Sequence, residues 1–246
     1  VTDIAAAFAR HERIAFQFSG GRDSLCALHL LRPYWAAMTV YHLRTGDDFP
    51  ETQKLVREIA NLVPHLALVD GVVGEVRAEF GLPSDLIPTS ATTIGRIHTG
   101  GPRLQDRYDC CARTIMLPMQ ARMKADGITL IVRGQRDTDY AAPVTRSGDV
   151  HDGIELLYPI QSWTTEQVML ALDAMGVEAP RFYAEGCKGA LDCMTCTAWW
   201  DEGRAAYLAK HHPAKYAEYQ RKLTLVADAL RPHVAHLDRE LTINED

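Results

Sequence analysis

Four of the six cysteines stand in two tight groups, Cys110 beside Cys111 and Cys193-Met194-Thr195-Cys196 as a C-x-x-C. Thiols grouped this way point to metal or redox chemistry rather than to a disulfide framework. A second candidate lies near the start, where the apolar run "FQF" gives way to Ser19-Gly20-Gly21-Arg22-Asp23-Ser24. Paired glycines let backbone N–H groups approach a ligand closely. A helix opening there adds unsatisfied N–H groups and a positive dipole end. With the hydroxyls of Ser19 and Ser24, the turn suits a phosphate or pyrophosphate. It is neither G-x-x-x-x-G-K-[ST] nor G-x-G-x-x-G. Asp23 would place Mg²⁺ or orient the turn, or simply favour the helix start. Arg113, Arg133, Arg136 and Lys188 have the guanidinium or ammonium groups that anions need, although arginines are most often surface residues. Cys187, in a loop flanked by glycines, would carry sulfur as a persulfide or nucleophile, or be a loop thiol without function. Cys26 falls at an apolar position of the following helix and reads as core.

The intervening residues must put these groups in place. Residues 3–12 read as a short amphipathic helix, 13–18 as a buried strand and 23–35 as a helix that Pro33 ends. Strands are expected at 37–43 and 65–71, on either side of a helix over 51–63 that Pro64 stops. This alternation predicts parallel pairing. Residues 83–109, rich in Pro, Thr, Gly and Ser, read as a long active-site loop. A helix follows over 110–127, broken or entered near Pro118, then a strand at 128–134 and an extended run at 155–160. A helix over 164–176 opens on Thr164 or Thr165 and closes at Gly176. The tail from 201 to 246 reads as helical and charged. The fold class expected is α/β, a parallel twisted sheet flanked by helices, with a helical C-terminal region. Residues 1–200 would carry the nucleotide site and the cysteines, and 201–246 would extend the same unit.

At 246 residues and 47% apolar, the chain has material for one large core. A net charge of −6 argues against coating nucleic acid by bulk charge. No apolar run approaches the roughly 18 residues of a membrane span, and charges interrupt the N-terminal stretch, so no signal peptide is expected.

Taken in order, these segments resemble the PP-loop, or N-type ATP pyrophosphatase, superfamily, whose members bind ATP or an adenylyl sulfate on a turn like Ser19–Ser24. One branch, the phosphoadenylyl-sulfate reductase-like family, is similar over much of the chain. "HLRTGDDFPET" (42–52) is similar to its D-T-G-x-x-F-P-E-T, and "CCARTIMLP" (110–118) to its C-C-x-x-R-K-x-x-P. "VRGQRDTD" (132–139), "YPIQSWTTEQV" (158–168) and "DCMTCT" (192–197) follow at the family's later motifs. The resemblance implies an adenine nucleotide alpha hydrolase-like sheet. It places Gly46, Arg133 and Gly134 beside the phosphates with Ser19, Gly20, Gly21, Arg22, Asp23 and Ser24. It implies catalytic roles for Asp23, Arg113 and Arg136. Arg44 stands where the family has Asp, and Arg133-Gly134 where it has Thr-Gly. The family's reductases use a cysteine in a tail E-C-G-[LI]-H, and no cysteine follows Cys196 here.

The cysteine pair and C-x-x-C resemble the ligand set of assimilatory adenylyl-sulfate reductases. That likeness implies a [4Fe–4S] cluster on Cys110, Cys111, Cys193 and Cys196. Zinc ranks second, since adjacent cysteines chelate one ion awkwardly, and free thiols third. The expected activity is that of an ATP pyrophosphatase and sulfurtransferase using ATP and Mg²⁺, closest in logic to the cluster-bearing DNA-phosphorothioation sulfurtransferases. The expected partners are a cysteine desulfurase or other sulfur donor, DNA through partner proteins, and a second copy of the chain, in the cytoplasm and away from membranes. The rivals are a reductase of adenylyl sulfate or its 3′-phosphate form, and a non-catalytic nucleotide-binding subunit. Arg96, Arg103, Arg107 and Arg113 make 95–113 either a nucleic-acid surface or a solvated loop.

Overall fold

The computed structural model describes residues 3–139, 141–142, 144–189 and 192–242. In chain order the elements are α1 (Ile4–Arg10), β1 (Ile14–Gln17), α2 (Arg22–Leu30), β2 (Thr39–Arg44), α3 (Pro50–Ala60), β3 (Leu66–Asp70), α4 (Val73–Phe80), β4 (Leu82–Ser84) and α5 (Gly95–Thr99). They continue with β5 (Leu104–Asp106), α6 (Arg107–Cys111), α7 (Leu117–Ala125), β6 (Leu130–Arg133), β7 (Val150–His151) and β8 (Ile154–Leu157). The chain then forms α8 (Thr165–Ala174), α9 (Arg181–Ala184), α10 (Arg204–His211) and α11 (Pro213–Thr242). The chain divides into two compact units, each assembled from separate stretches.

The first unit takes the chain up to Arg44, then Asp48–Asp70 and Leu117–Asp192. Its sheet runs β3-β2-β1-β6-β8-β7. Every pairing is parallel except the terminal β7–β8 hairpin. The central strands are apolar almost throughout because helices cover both faces. Ile14, Phe16, Leu130 and Val132 are buried against Leu25, Leu28 and Leu31 of α2 and its end, and against Val168 and Leu172 of α8. Cys26 lies in the same core, where burial pushes its thiol up to about 11. Thr164 opens α8 with a capping box closed by Gln167. The strand order reverses between β1 and β6. In open α/β sheets that reversal opens a crevice at the carboxyl ends of the strands, where ligands bind. β1 leads there into Ser19–Ser24, and β6 ends there at Arg133-Gly134.

The second unit comprises Thr45–Asp47, Gly71–Met116 and the chain from Cys193 onward. The expected long loop over 83–109 is instead largely ordered. β4 and β5 pair in parallel, Leu82 opposite Leu104 and Ser84 opposite Asp106. Ala91 and Leu104 pack with Val226 of α11, and Leu82, Ile87 and Leu230 join them. Strands of three residues leave no period in the sequence, so the Pro and Gly around them mask the pairing. The helix expected over 110–127 divides into α6, a π-helical turn at Ala112–Met116, and α7. Pro118 has no N–H to donate back, and the wider turn absorbs the misfit. The helix expected to reach residue 35 ends at Leu30, and a 3₁₀ turn over Arg32–Ala37 takes Pro33 in its first positions. No described helix is long and apolar enough to cross a membrane.

Candidate functional site

The turn after β1 closes on itself through short polar contacts. The Ser19 and Ser24 hydroxyls lie 3.0 Å apart, and Gly21 N–H donates to Ser19 Oγ at 3.3 Å. Ser24 Oγ donates to the Gly21 carbonyl at 2.9 Å. Gly20 has φ +83°, and a Cβ there would meet Thr52 Cγ2 at 2.8 Å. A side chain at residue 20 is therefore opposed by backbone conformation and by the Thr52 methyl together. Arg22 N–H donates to the Tyr183 hydroxyl at 3.2 Å, and the Arg22 guanidinium stacks 4.5 Å over the Tyr183 ring. His42 of β2 braces the strand end by donating Nδ1–H to the Phe18 carbonyl at 2.9 Å. Burial holds the His42 imidazole neutral and lowers its pKa from 6.5. The unfolded chain therefore takes up a proton first as the pH falls. Stability should be full above pH 6.5 and decline below it, toward the lower folded-state value. Thermal melts of wild type and His42→Gln across pH 5 to 8 should differ in slope below about 6.5, and superimposable slopes would refute this role.

Basic residues converge on the same end of the sheet. Arg136 is 6% exposed, with Nε 3.2 Å from Asp23 Oδ1 and Nη2 3.3 Å from Asp139 Oδ1. Its Nη1 donates to Thr165 Oγ1 at 3.0 Å. Asp23 has its pKa raised, first by burial, against the lowering pull of Arg136 and Arg22. Arg22 and Arg133 each keep a buried Nε with no hydrogen-bond acceptor in the protein, and the buried Arg136 Nε has only its ion pair with Asp23. Buried donors of this kind cost free energy until an acceptor arrives, and a phosphate supplies several. Gly134 lets the end of β6 press against the helix start. A Cβ at residue 134 would lie 2.6 Å from the Asp23 carbonyl group and the Ser24 nitrogen. Both neighbours are backbone, so Gly134→Ala should cost roughly 2–4 kcal/mol in urea unfolding and weaken phosphate binding. A variant of wild-type stability would show that this approach is looser than the geometry implies. A concavity of about 830 Å³ lined by Arg13, Thr39, His65 and Asp126 opens at the amino ends of the strands, away from these groups.

In the second unit the C-x-x-C is knitted to Asp47. Asp47 Oδ2 accepts from Thr195 N–H at 2.9 Å and Thr195 Oγ1 at 2.6 Å, and the Asp47 carbonyl accepts from Met194 N–H at 2.7 Å. Arg77 Nη1 donates to the same Oδ2 at 2.9 Å and to Thr195 Oγ1 at 3.0 Å. Arg204, 4% exposed, donates Nη1 to the Cys196 and Ala198 carbonyls. Cys193 and Cys196 are buried with Val73 and Ala198, and Trp199 packs over them. Trp199 itself has φ +60° and is held by its N–H to Asp85 and by Arg107 stacked 3.9 Å over its ring. Burial pushes the Cys110 thiol up, while Arg77 and the Thr114 hydroxyl pull it down and Cys196 raises it. Burial works against the charge of Arg77, but Cys193, Asp47 and Cys196 outweigh it and raise its pKa. The charge of one buried cation thus acts on Cys110, Cys193 and Cys196, and thiols beside a cation have the chemistry an anionic iron–sulfur cluster would use. Among the described residues no three His, Cys, Asp or Glu side chains are grouped to hold a single metal ion.

The structure brings Ser19, Gly20, Gly21, Arg22, Asp23, Ser24, Arg133, Gly134 and Arg136 together in the first unit. Gly46, with φ +87°, belongs to the second unit, as does Arg113. Arg113 stacks 4.2 Å over Phe80 and donates to Gln105 Oε1 and Asp109 Oδ2. Cys111 ends α6 and is partly exposed, while Cys187 is buried rather than offered on an open loop. Every arginine of 95–113 has an intrachain partner: Arg96 the Gly101 carbonyl, Arg103 the Glu79 carbonyl and Thr93, Arg107 Asp85, and Arg113 as above. That weakens the nucleic-acid reading of this stretch. Arg44, the departure after β2, pairs with Asp70 at the end of β3. Sequence reasoning missed Arg77, Arg204, Tyr183 and Thr52. The first three stand in segments without a chemical motif, and only Thr52 lay inside a recognisable one.

A model of the phosphoadenosine phosphosulfate reductase domain matches residues 13–199. The chain belongs to that family. The matched stretch contains the Ser19–Ser24 turn, the arginines around it and all six cysteines. Among solved structures, the family chain resembles phosphoadenylyl-sulfate reductase from Candida auris, crystallised as a phosphate complex. The TM-score is 0.56 at 17% identity, over 77% of this chain and 85% of the other, a likeness of fold. A search of curated proteins returns no match.

Proposed function

We propose that the protein is an ATP pyrophosphatase that drives sulfur transfer. The supporting observation is the set of three buried guanidinium Nε–H groups, on Arg22, Arg133 and Arg136, at the end of β1 and β6, of which those of Arg22 and Arg133 have no acceptor in the protein. Such a cationic lining favours a pyrophosphate leaving group. The Ser19–Ser24 turn would hold the β- and γ-phosphates, while Asp23 fixes Arg136 and Arg22 toward them. Mg²⁺ would ride chiefly on the phosphates themselves. An oxygen of the acceptor attacks the α-phosphorus, pyrophosphate leaves, and a sulfur nucleophile then displaces AMP. Cys110, Cys111, Cys193 and Cys196 are the residues assigned to a [4Fe–4S] cluster, which when bound would supply a redox-active, anionic group that positions the sulfur donor. The resemblance to phosphorothioation enzymes makes a DNA backbone phosphate the first acceptor to test, with a desulfurase as donor.

A second reading, reduction of a sulfonucleotide, is favoured by the family match over residues 13–199. One experiment separates the two. Protein purified without oxygen is given Mg-ATP with a sulfide source, and separately adenylyl sulfate or its 3′-phosphate form with reduced thioredoxin. Pyrophosphate release that disappears in Asp23→Ala, without sulfite, supports the proposal. Sulfite release overturns it in favour of the reductase. Nucleotide binding with neither product leaves a non-catalytic subunit.

A further inference from the structure

Arg77 is a costly residue to keep where it is. It sits on α4 with its side chain only 8% exposed, against an equally buried Asp47. Its Nη1 is spent on Asp47 Oδ2 and Thr195 Oγ1. Its Nε and Nη2 are buried and have no hydrogen-bond partner. Those two nitrogens form one edge of the guanidinium, with parallel N–H bonds that address an anion in two-pronged fashion. The neighbours of this cation are sulfur: Cys193 and Cys196 act on Arg77 by charge, and the charge of Arg77 acts in turn on the Cys110 thiol. The ammonium nearby is already engaged, since Lys222 Nζ donates to Thr195 Oγ1 at 2.8 Å and to Glu218 Oε1 at 2.7 Å. The fork on Arg77 is thus the buried, unmatched donor pair beside the cysteines.

We infer that Arg77 is the built-in counter-ion of the iron–sulfur group, presenting its Nε–Nη2 edge to sulfur so as to retain the cluster and ease its reduction. The inference rests on the cluster assigned above and adds a residue with no thiol. Four thiolates around a [4Fe–4S]²⁺ core leave a net charge of −2, and one added electron makes it −3. A fixed cation with N–H groups aimed at sulfur favours both the bound and the reduced states, the two levers that tune such centres. Asp47 holds the guanidinium in register by taking its other edge. Arg77 is therefore a positioning residue, acting through the cysteines rather than on the nucleotide.

The test compares wild type with Arg77→Lys, Arg77→Met and the double variant Arg77→Met/Asp47→Asn, each reconstituted anaerobically with iron and sulfide. The double variant removes both charges, so it does not strand a buried carboxylate if Arg77→Met alone fails to fold. Iron and acid-labile sulfide per chain are measured first, then the fraction of cluster reduced at a series of poised potentials by paramagnetic resonance. Cluster affinity should fall about tenfold or more in both methionine variants. At the potential that half-reduces wild type, they should be reduced several-fold less. Arg77→Lys, which keeps charge but not the rigid fork, should fall between. Wild type that takes up no iron overturns the cluster assignment, and this role with it. Wild type that loads fully, with variants matching it in iron content and reduction, overturns the role of Arg77 alone.

Discussion

Replacing Arg136 with methionine is expected to weaken binding of inorganic pyrophosphate, and to slow nucleotide turnover, by roughly 100-fold. The side chain is 6% exposed and touches Asp23, Asp139 and Thr165, so its loss acts on the whole end of the sheet. One effect is direct, the removal of a buried cation from the end of the sheet. The other runs through Asp23. Burial raises the pKa of that carboxyl, and Arg136 is the strongest influence opposing the rise. Without the guanidinium, the acid form of Asp23 persists to higher pH. If turnover needs the carboxylate, the acid limb of the kcat/KM profile should move upward in Arg136→Met. The purely structural alternative predicts a uniform loss with the limb unmoved. Isothermal titration with pyrophosphate checks the first effect and the pH profile checks the second. Pyrophosphate affinity within a few-fold of wild type would refute the phosphate role of Arg136.

How much of this was legible in the sequence depends on whether the information is local. The Ser19–Ser24 turn was legible because glycine, hydroxyl and acid types must stand at fixed offsets where a strand becomes a helix. The apolar strands of the first sheet were legible too, since burial on both faces leaves unbroken runs such as "LIV" at 130–132. β4 and β5 were not, because three residues show no period and their pairing is a tertiary fact. Cys193 and Cys196 announced themselves by spacing. Their supports, Asp47, Arg77 and Arg204, did not, because nothing in "GEVRAEF" or "DEGRAAY" distinguishes a buried arginine from a solvated one. Asp47 stands in a turn, yet it accepts hydrogen bonds from a cysteine turn distant in sequence, which its neighbours in the chain do not announce. The chemistry-bearing residues can be found by type and spacing, while the residues that hold them are set by partners the chain order hides.

Asp47→Ala should consequently be among the most damaging single changes to the second unit. The substitution removes the acceptor shared by Arg77 Nη1, Thr195 N–H and Thr195 Oγ1 in one step. What remains is a guanidinium 8% exposed, with its principal carboxylate gone. Breaking one side of a buried ion pair costs on the order of 3–5 kcal/mol, because the stranded charge has neither water nor partner. The backbone carbonyl of residue 47 still accepts from Met194 N–H, so the turn loosens rather than detaches. The damage should therefore be visible as reactivity. Alkylation of Cys193 and Cys196 in the native protein should quicken well before global unfolding, because local opening exposes thiols that are now buried under Trp199. Asp47→Asn keeps an acceptor for the Thr195 donors but not the charge, and should fall between alanine and wild type. Urea unfolding with parallel mass-spectrometric thiol mapping gives both quantities. An unchanged midpoint together with unchanged labelling at Cys193 and Cys196 would show that Asp47 does not hold the turn.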